Sequence, residues 1–257
     1  MKNKSLSVSI AIAMLVVSAL ACNLGASTPE GDGSQPTQDN STTNGSSSAA
    51  CGNPYLPVVQ GATWTYNLTG SSSDTFTRSI ISVGENNFTD QDVFGSGVTR
   101  QGNWNCDNGA LIALDPTSGN SASVNSENVS VDFKTTSSSG VTLPASLNQG
   151  DSWTQTTTLE GTENINGLEV PAKNEFSNTC TVAGKESITV AAGTFDAVRV
   201  DCQTAMNITI TMNGAPISSP FTFTATSWYA ENVGLIKTVS TGDQLDSTLE
   251  LTSYSIP

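Results

Sequence analysis

From Cys51 onward the sequence predicts an all-β, antiparallel fold, and three observations lead to this prediction. Thr, Ser, Val, Ile and Phe alternate along most of the segment, as expected of half-buried strands. Gly, Asn and Asp interrupt the alternation at short intervals, which is typical of turns between neighbouring strands. No window shows a sustained helical period. The segment is long enough for one sizeable core or two small ones.

The first 21 residues have the features of an export signal. Lys2 and Lys4 precede an apolar run from Ile10 to Ala21, which ends in small residues. The run is too short for a spanning helix, which needs about 20 residues. Cys22 follows directly, and this arrangement resembles the bacterial lipobox, whose cysteine is acylated and becomes the new N-terminus. Lipoboxes usually have Leu three residues before the cysteine, whereas Leu20 lies two before it, so the alternative is an ordinary secretory signal.

Residues 22–50 are expected to consist of the lipid-bearing Cys22 and a disordered tether. The stretch 23–50 consists mainly of Ser, Thr, Gly, Asn, Gln and Pro, with no large apolar residue beyond Leu24. Such a composition cannot bury enough surface to fold. A lipobox cysteine carries a diacylglyceryl group, and two acyl chains suffice for stable anchoring. A flexible tether of this length would hold the folded domain on the order of 30 Å from the bilayer.

The clearest predicted strand runs from Val198 to Met212. Its apolar residues share one parity and its polar residues the other, so one face is expected to be buried and the other wet. Asn213-Gly214 follows as a strong turn signal, and Phe221 to Tyr229 is predicted to return as the next strand. The apolar set is Val198, Val200, Cys202, Met206, Ile208, Ile210 and Met212.

Four cysteines remain once Cys22 is assigned to lipid, and an even number in an exported chain suggests disulfides. Cys180 and Cys202 lie at equal distances from residue 191, in the middle of a predicted hairpin, and both have the apolar parity. This favours a Cys180–Cys202 bridge and leaves Cys51–Cys106 as the other pair, although four cysteines allow three pairings. Zinc is the rival interpretation, weakened because the chain has no C-x-x-C spacing and no histidine.

Two motifs occur twice and predict an internal duplication. The motif Q-G-x-x-W ends at Trp64 and again at Trp153. A second motif starts at Trp104 and continues with an acidic residue, an asparagine, a glycine and a Leu-Ile pair. The same series of residues starts again at Trp228, with one residue inserted. Because tryptophan is rare in this chain, chance matching is the weaker alternative. The predicted units are 51–142 and 143–257, and the sequence leaves open whether they share one sheet.

A V-x-A-G-T-F hairpin at 190–195 and W-Y-A-x-x-V-G-L-I-K at 228–237 carry a family resemblance. They resemble uncharacterised β-rich bacterial envelope proteins, many of them lipoproteins, whose curved sheets are similar to the half-barrel carriers of the lipoprotein-localisation system. The resemblance covers roughly 175–254. It implies an antiparallel curved sheet, forming an open half-barrel or a sandwich, and it implies no catalytic residue.

Composition excludes several functions. The net charge is −14, with 9 basic and 23 acidic residues, so a nucleic-acid partner is not expected. The absence of histidine excludes a Ser-His-Asp triad. No Ser-x-x-Lys motif lies in the folded part. Paired acids could serve a glycosidase, but none lies in a recognisable frame and all are expected to be solvated; the candidates are Asp90, Asp92, Asp107, Asp151, Glu160, Glu175 and Glu231.

Two further site hypotheses remain weaker than their structural alternatives. Asp90-x-Asp92 and Asp107-Asn108-Gly109 have side chains suited to calcium, yet neither has the spacing of a calcium loop, and the second is better explained as a turn. The four tryptophans could stack on sugars, but their repeated strand positions favour core packing. We therefore expect no metal and no cofactor.

The sequence thus predicts a non-catalytic lipoprotein on the extracytoplasmic face of the cell membrane or outer membrane, held there by lipid on Cys22. Its expected role is to bind an apolar ligand or lipid on a concave sheet, with the Val198–Met212 stripe as the candidate surface. The alternative is an envelope interaction or adhesion module that binds a protein or polysaccharide. An open apolar cavity would favour the carrier, and a filled core with exposed aromatics would favour the interaction module.

Overall fold

The structure is a computed structural model that describes residues 49–71, 73–114, 123–125, 129–165, 168–212, 214–242 and 246–257. The predicted signal, Cys22 and nearly all of the predicted tether lie outside the described residues. Within them, no helix is long and apolar enough to span a membrane. One 3-10 turn, Ala49–Cys51, precedes the strands.

The described residues form thirteen strands of very different length. The early strands are short, whereas β8 to β11 are 14 to 23 residues long. The strands are β1 Thr63–Gly70, β2 Asp74–Val83, β3 Asn87–Phe94, β4 Thr99–Asp107, β5 Ala110–Ala113, β6 Ser123–Asn125, β7 Val129–Ser139, β8 Ser152–Ile165, β9 Leu168–Val190, β10 Gly193–Met212, β11 Ala215–Ala230, β12 Gly234–Gly242 and β13 Ser247–Ser255.

All thirteen described strands belong to one open, curved antiparallel sheet, which confirms the predicted fold class. The order is β5-β4-β3-β2-β1-β13-β12-β11-β10-β9-β8-β7-β6. Strands that follow one another in sequence are paired, except β5 and β6, which lie at the two ends of the sheet. β1 pairs with β2 and also with the last strand, β13. The sheet therefore has a first arm, β1–β5, and a second arm, β6–β13, joined at its centre. Both predicted units share this single sheet.

The repeated motifs lie at matching places in two runs of five strands, β1–β5 and β8–β12. Gly61 and Gly150 have left-handed φ of 86° and 89° immediately before β1 and β8. Asn108 and Asn232 also have positive φ, 48° and 62°, in the turns that lead to β5 and β12. The duplication itself remains a prediction. A duplicated chain would be expected to have the same backbone conformation at corresponding positions, as these glycines and asparagines do.

Four of the seven residues in the apolar stripe of β10 are buried, and the other three are half-buried. Val198, Val200, Ile208 and Ile210 are 1–5% exposed. Cys202 lies directly opposite Cys180 on β9 and is bonded to it. The second disulfide joins Cys51 to Cys106, so both predicted pairs are confirmed. We call the face that bears this stripe the inner face, because the curved sheet folds around it.

One end of the inner face is closed by residues 49–58, which we call the N-terminal strap. Cys51, Tyr55 and Val58 of the strap are buried in the main core. The strap also forms backbone hydrogen bonds with the turns that contain Asn108 and Asn232. The Gly109 N–H donates to the Ala50 carbonyl (2.9 Å), and the Asn232 backbone N–H donates to the Pro54 carbonyl (2.7 Å). The strap therefore connects the two arms at one end of the sheet.

The free edge of β5 is covered by the segment that precedes β8. Leu111 exchanges backbone hydrogen bonds with Leu143 (2.9 and 3.1 Å), and the Ala113 amide donates to Thr142 Oγ1 (2.8 Å). Gln155 Nε2 from β8 donates to the Ala113 carbonyl (3.3 Å). We call this contact the seam. It leaves no open ladder at β5 for another strand to join.

Candidate functional site

The inner face of the first arm carries an in-register row of alternating charge. Register places Trp64, Arg78, Asp92 and Arg100 side by side on β1 to β4. Asp90, two residues from Asp92, lies opposite Gly102 on β4, which has no side chain. We call Arg78, Asp90, Asp92 and Arg100 the buried quartet. Both carboxylates are essentially inaccessible, at 1% and 0% exposure.

Asp92 holds the stronger ion pair of the quartet. Arg78 donates to both of its oxygens, from Nε at 2.8 Å and from Nη2 at 2.9 Å. This fork geometry is the strongest form of a carboxylate–guanidinium pair. Burial opposes the charge on Arg78, but Asp92 outweighs it, so the pKa of the guanidinium is raised. Arg100 Nη2 lies 4.0 Å from the same carboxylate.

Asp90 is much less well compensated. Its nearest cation is Arg78 Nε at 3.6 Å, and that same nitrogen already donates to Asp92. Asp90 Oδ1 has no hydrogen-bond partner, and neither do the nearby donors Arg100 Nε and Trp104 Nε1. Burial is the main reason that the pKa of Asp90 is raised to about 6; Arg78 and the Gly102 backbone act against this rise, and Asp92 adds to it.

Aromatic rings surround the quartet and keep water away from it. Phe94 lies under Arg100, with the guanidinium carbon 4.3 Å from the ring centroid. Phe76 and Phe94 stack at 4.8 Å on one side, and Phe88 and Trp104 stack at 5.2 Å on the other. Burial lowers the pKa of Arg100 to about 10 despite Asp92. The quartet is therefore a polar island inside a filled core.

The expectation that the candidate acids are solvated is wrong for Asp90 and Asp92. Their parity matches that of Phe88 and Phe94, so the strand directs all four side chains inward. The calcium hypothesis for these two aspartates also fails, because two guanidinium groups occupy the space where a cation would bind. The motif F-x-D-x-D-x-F was the signal in the sequence, and neither Arg78 nor Arg100 was identified from it.

The other candidate acids lie apart from the quartet. Asp107 accepts a hydrogen bond from Asn108 in the β4–β5 turn (2.8 Å), as the turn interpretation predicts. Glu175 and Glu231 form ion pairs with Lys173 and Lys185. Asp151 and Glu160 are exposed. No group of three or more Asp, Glu, Cys or His side chains is gathered for a metal anywhere in the described ranges.

The tryptophans mostly follow the core interpretation. Trp64 and Trp104 are buried, at 1% and 4% exposure, and Trp153 and Trp228 are half-buried against the same core. Trp228 is the one with a distinct polar setting. It lies between Arg199 on β10 and Lys237 on β12, and its indole N–H donates to Glu186. Arg199 and Trp228 alternate with buried Val200 and Ser227, so they belong to the opposite, outer face.

A second apolar cluster lies on the long strands, separate from the main core. Five of its residues are buried and five are half-buried. All the described strands belong to one sheet, so no second sheet among them covers this cluster. We call it the distal cluster. Its buried members are Leu159, Val170, Ala172, Ile208 and Ile210, and its half-buried members are Phe176, Met206, Met212, Ile217 and Phe221.

Polar residues bound and interrupt the distal cluster. On the side of the main core, Thr204 Oγ1 donates to Asn178 Oδ1 (2.9 Å), and Gln155 lies opposite Asn178. Within the cluster, Asn174 faces Ile208 on β10 and Leu159 on β8. Asn174 is only 4% exposed, and its Oδ1 has no partner. The cluster thus offers an apolar strip with one buried, unused acceptor.

The fold and the inner face define a single-sheet, disulfide-bonded β protein. The model of the DUF3108-like family matches residues 81–255, and the chain belongs to this family. None of the curated protein sequences matches the chain.

Two solved structures were compared with this chain. The chain is similar to a Bacteroides fragilis protein described as exported and as having a YmcC-like fold, with 16% identity and a TM-score of 0.52, over 79% of this chain and 100% of that one. A Parabacteroides distasonis protein described as a lipoprotein matches with 15% identity and a TM-score of 0.48, over 79% and 99%. At 16% identity, the similarity to the Bacteroides fragilis protein shows a common fold.

Proposed function

We propose that this protein is a lipid-anchored, extracytoplasmic lipoprotein that binds the acyl part of a lipid on the distal cluster, without catalysis. The observation that carries the proposal is the distal cluster itself: half-buried Phe176, Met206, Met212, Ile217 and Phe221 lie together on the inner face, outside the filled core. The Val198–Met212 stripe proposed from the sequence is thus divided between the main core and the distal cluster. In this proposal, only the part from Met206 to Met212 contacts the ligand.

The chemistry of the distal cluster suits an acyl chain. Its members are aliphatic, thioether and phenyl groups, and methionines adapt well to flexible apolar ligands. From Met206 to Met212 the strand rises about 20 Å, so a chain lying along it would be covered over much of its length. Each buried methylene contributes about 0.8 kcal/mol. The unused Asn174 Oδ1 would accept a hydrogen bond from a hydroxyl or amide near the head group.

The position in the envelope rests on the N-terminal sequence and on the exported similar protein of Bacteroides fragilis. The anchor is expected to be lipid on Cys22. The test is the intact mass of the protein from membrane fractions, compared with a Cys22→Ser variant. Acylation and membrane association that both disappear in the variant support the anchor. An unacylated, freely released parent protein would show that residues 1–21 are an ordinary secretory signal.

Lipid binding is tested by native mass spectrometry on residues 49–257, exported to a periplasm and purified without detergent. An added mass of a lipid, released on denaturation, is expected. Phe221→Glu should reduce this occupancy at least tenfold, because it places a charge in the distal cluster. Thr222→Glu is the matched control, since Thr222 is exposed and has the opposite parity. A bare parent protein that also fails to retain added fatty acid would refute the carrier.

A second candidate function has one specific observation in its favour. On the outer face, Trp228 lies between the two cations Arg199 and Lys237, which also pair with Asp201 (3.1 Å) and Glu250 (2.7 Å). A half-buried indole with flanking charged groups suits a polysaccharide of the envelope. In native gels that contain the polysaccharide, the Trp228→Ala variant should be retarded less than the parent protein. Tyr254→Ala is the control, because it removes a different aromatic ring. Equal migration of parent and Trp228→Ala would dismiss this candidate.

A further inference from the structure

We propose that Asp90 is a buried proton-binding site that makes the stability of strands β2–β4 depend on pH. The proposal concerns the first arm and does not rest on lipid binding by the second. The proton is taken from solvent as the medium is acidified and returned to solvent as it becomes neutral. What makes Asp90 the site is the unequal division of two guanidinium groups between two carboxylates.

Asp92 takes both cations of the buried quartet. It accepts two hydrogen bonds from Arg78 and lies 4.0 Å from Arg100. Asp90 has only a 3.6 Å approach to the Arg78 Nε that Asp92 already uses, and its Oδ1 has no partner. A buried carboxylate with one oxygen left without a hydrogen bond is costly to keep ionised. Asp90 is therefore the carboxylate that takes up a proton first.

The groups that face the quartet from every neighbouring strand do not offer a competing site near neutral pH. Tyr66 on β1 and Tyr229 on β11 have a raised pKa, because burial disfavours the phenolate. Arg100 on β4 has a pKa of about 10, and that of Arg78 on β2 is raised by Asp92. Trp104 on β4 does not titrate in this range. Among these groups, Asp90 is the one whose pKa lies between 5 and 7.

The direction of the effect follows from proton linkage. Burial raises the pKa of Asp90 from 3.8 to about 6, so the folded protein binds this proton more tightly than the unfolded chain. Folding is then favoured by acidification through this window, and the contribution is lost as pH rises through about 6. Above that pH the first arm holds an under-compensated charge between β2, β3 and β4.

Thermal unfolding of the exported protein at pH 5.0 and pH 7.5 tests the proposal. Because the net charge is −14, acidification also relieves general repulsion, so the comparison must be between variants. The rise in Tm on acidification should be smaller in Asp90→Asn than in the parent by about 3–6 °C. Asp196→Asn removes an exposed carboxylate and should keep the parental rise.

A second measurement decides the matter if Asp90→Asn does not fold. In the unaltered protein, the carboxyl ¹³C resonance of Asp90 should titrate near pH 6, and amides of β2–β4 should exchange faster with solvent at pH 7.5 than at pH 5.0 after correction for intrinsic rates. Titration at an ordinary aspartate pH, or equal rises in Tm for the parent and Asp90→Asn, would overturn the proposal.

Discussion

Asn108 and Asn232 adopt the same left-handed backbone conformation at equivalent positions of the two repeated motifs, and the N-terminal strap is bonded to the turns that contain them. Their φ values are 48° and 62°, and among the described residues they are the non-glycine positions with positive φ. Asn53 Nδ2 of the strap donates to the Gly109 carbonyl (2.7 Å), and the Asn232 backbone N–H donates to the Pro54 carbonyl (2.7 Å). One short segment therefore secures the end of both arms.

Substitution of Asn232 should reveal the cost of this conformation. Asparagine tolerates the left-handed region better than other residues with a Cβ, and glycine tolerates it best. Asn232→Ala should lower the free energy of unfolding by roughly 1–2 kcal/mol, whereas Asn232→Gly should leave it nearly unchanged. Urea denaturation measures both. Equal losses in the two variants would mean that the asparagine side chain, not its backbone conformation, matters.

Gly140 should be intolerant of any side chain. It has a φ of 79° at the start of the seam, and a Cβ there would overlap the carbonyl oxygen of Thr154. Gly97 has a similar φ of 86° but open space around it. Gly140→Ala should therefore destabilise the protein clearly more than Gly97→Ala, because only the former combines backbone strain with a clash. Similar unfolding midpoints for the two variants would contradict the geometry of the seam.

Removal of Asp92 should be among the most damaging single changes in the first arm. Asp92→Asn leaves Arg78 and Arg100 buried without their main counter-charge, and loss of one member of a buried pair costs about 3–5 kcal/mol. The matched control is Asp201→Asn, which breaks the half-exposed pair with Arg199 and should cost less than about 1 kcal/mol. Chemical denaturation compares the two, and equal effects would argue against a dry quartet.

The two disulfides should contribute unequally. Cys51–Cys106 spans 55 residues and Cys180–Cys202 spans 22. Constraint of the unfolded chain grows with loop length, so replacement of each pair by serines should cost about 4 and about 3 kcal/mol, respectively. Urea denaturation under non-reducing conditions tests the order. If the Cys180–Cys202 variant proved the less stable, native packing around that bridge would outweigh chain entropy.

Strand pattern and cysteine pairing were predictable because they depend on local periodicity. The alternation from Val198 to Met212 lies within β10, and the equal spacing of Cys180 and Cys202 around their turn places them opposite each other. The return strand was predicted from Phe221, whereas β11 starts at Ala215. Ladder hydrogen bonds to β10 extend the strand through Pro216 and Pro220, residues that local propensity disfavours in strands.

The buried quartet was not predictable in the same way. The parity of Asp90 and Asp92 with Phe88 and Phe94 shows which face they take, but not that this face is covered. Their partners Arg78 and Arg100 come from other strands, and only the register of β2, β3 and β4 brings the four side chains together. A one-residue shift in either pairing would send them to opposite faces.

By itself, the sequence determined the β class and the expectation of a lipid anchor, and it favoured the Cys180–Cys202 pair, because each depends on residue type at short, regular spacing. The tertiary structure decided that both units form one sheet, that β1 pairs with β13, and that the apolar stripe is divided between a filled core and the distal cluster. These features depend on contacts between strands far apart in the chain, where curvature and register, rather than local propensity, select the partners.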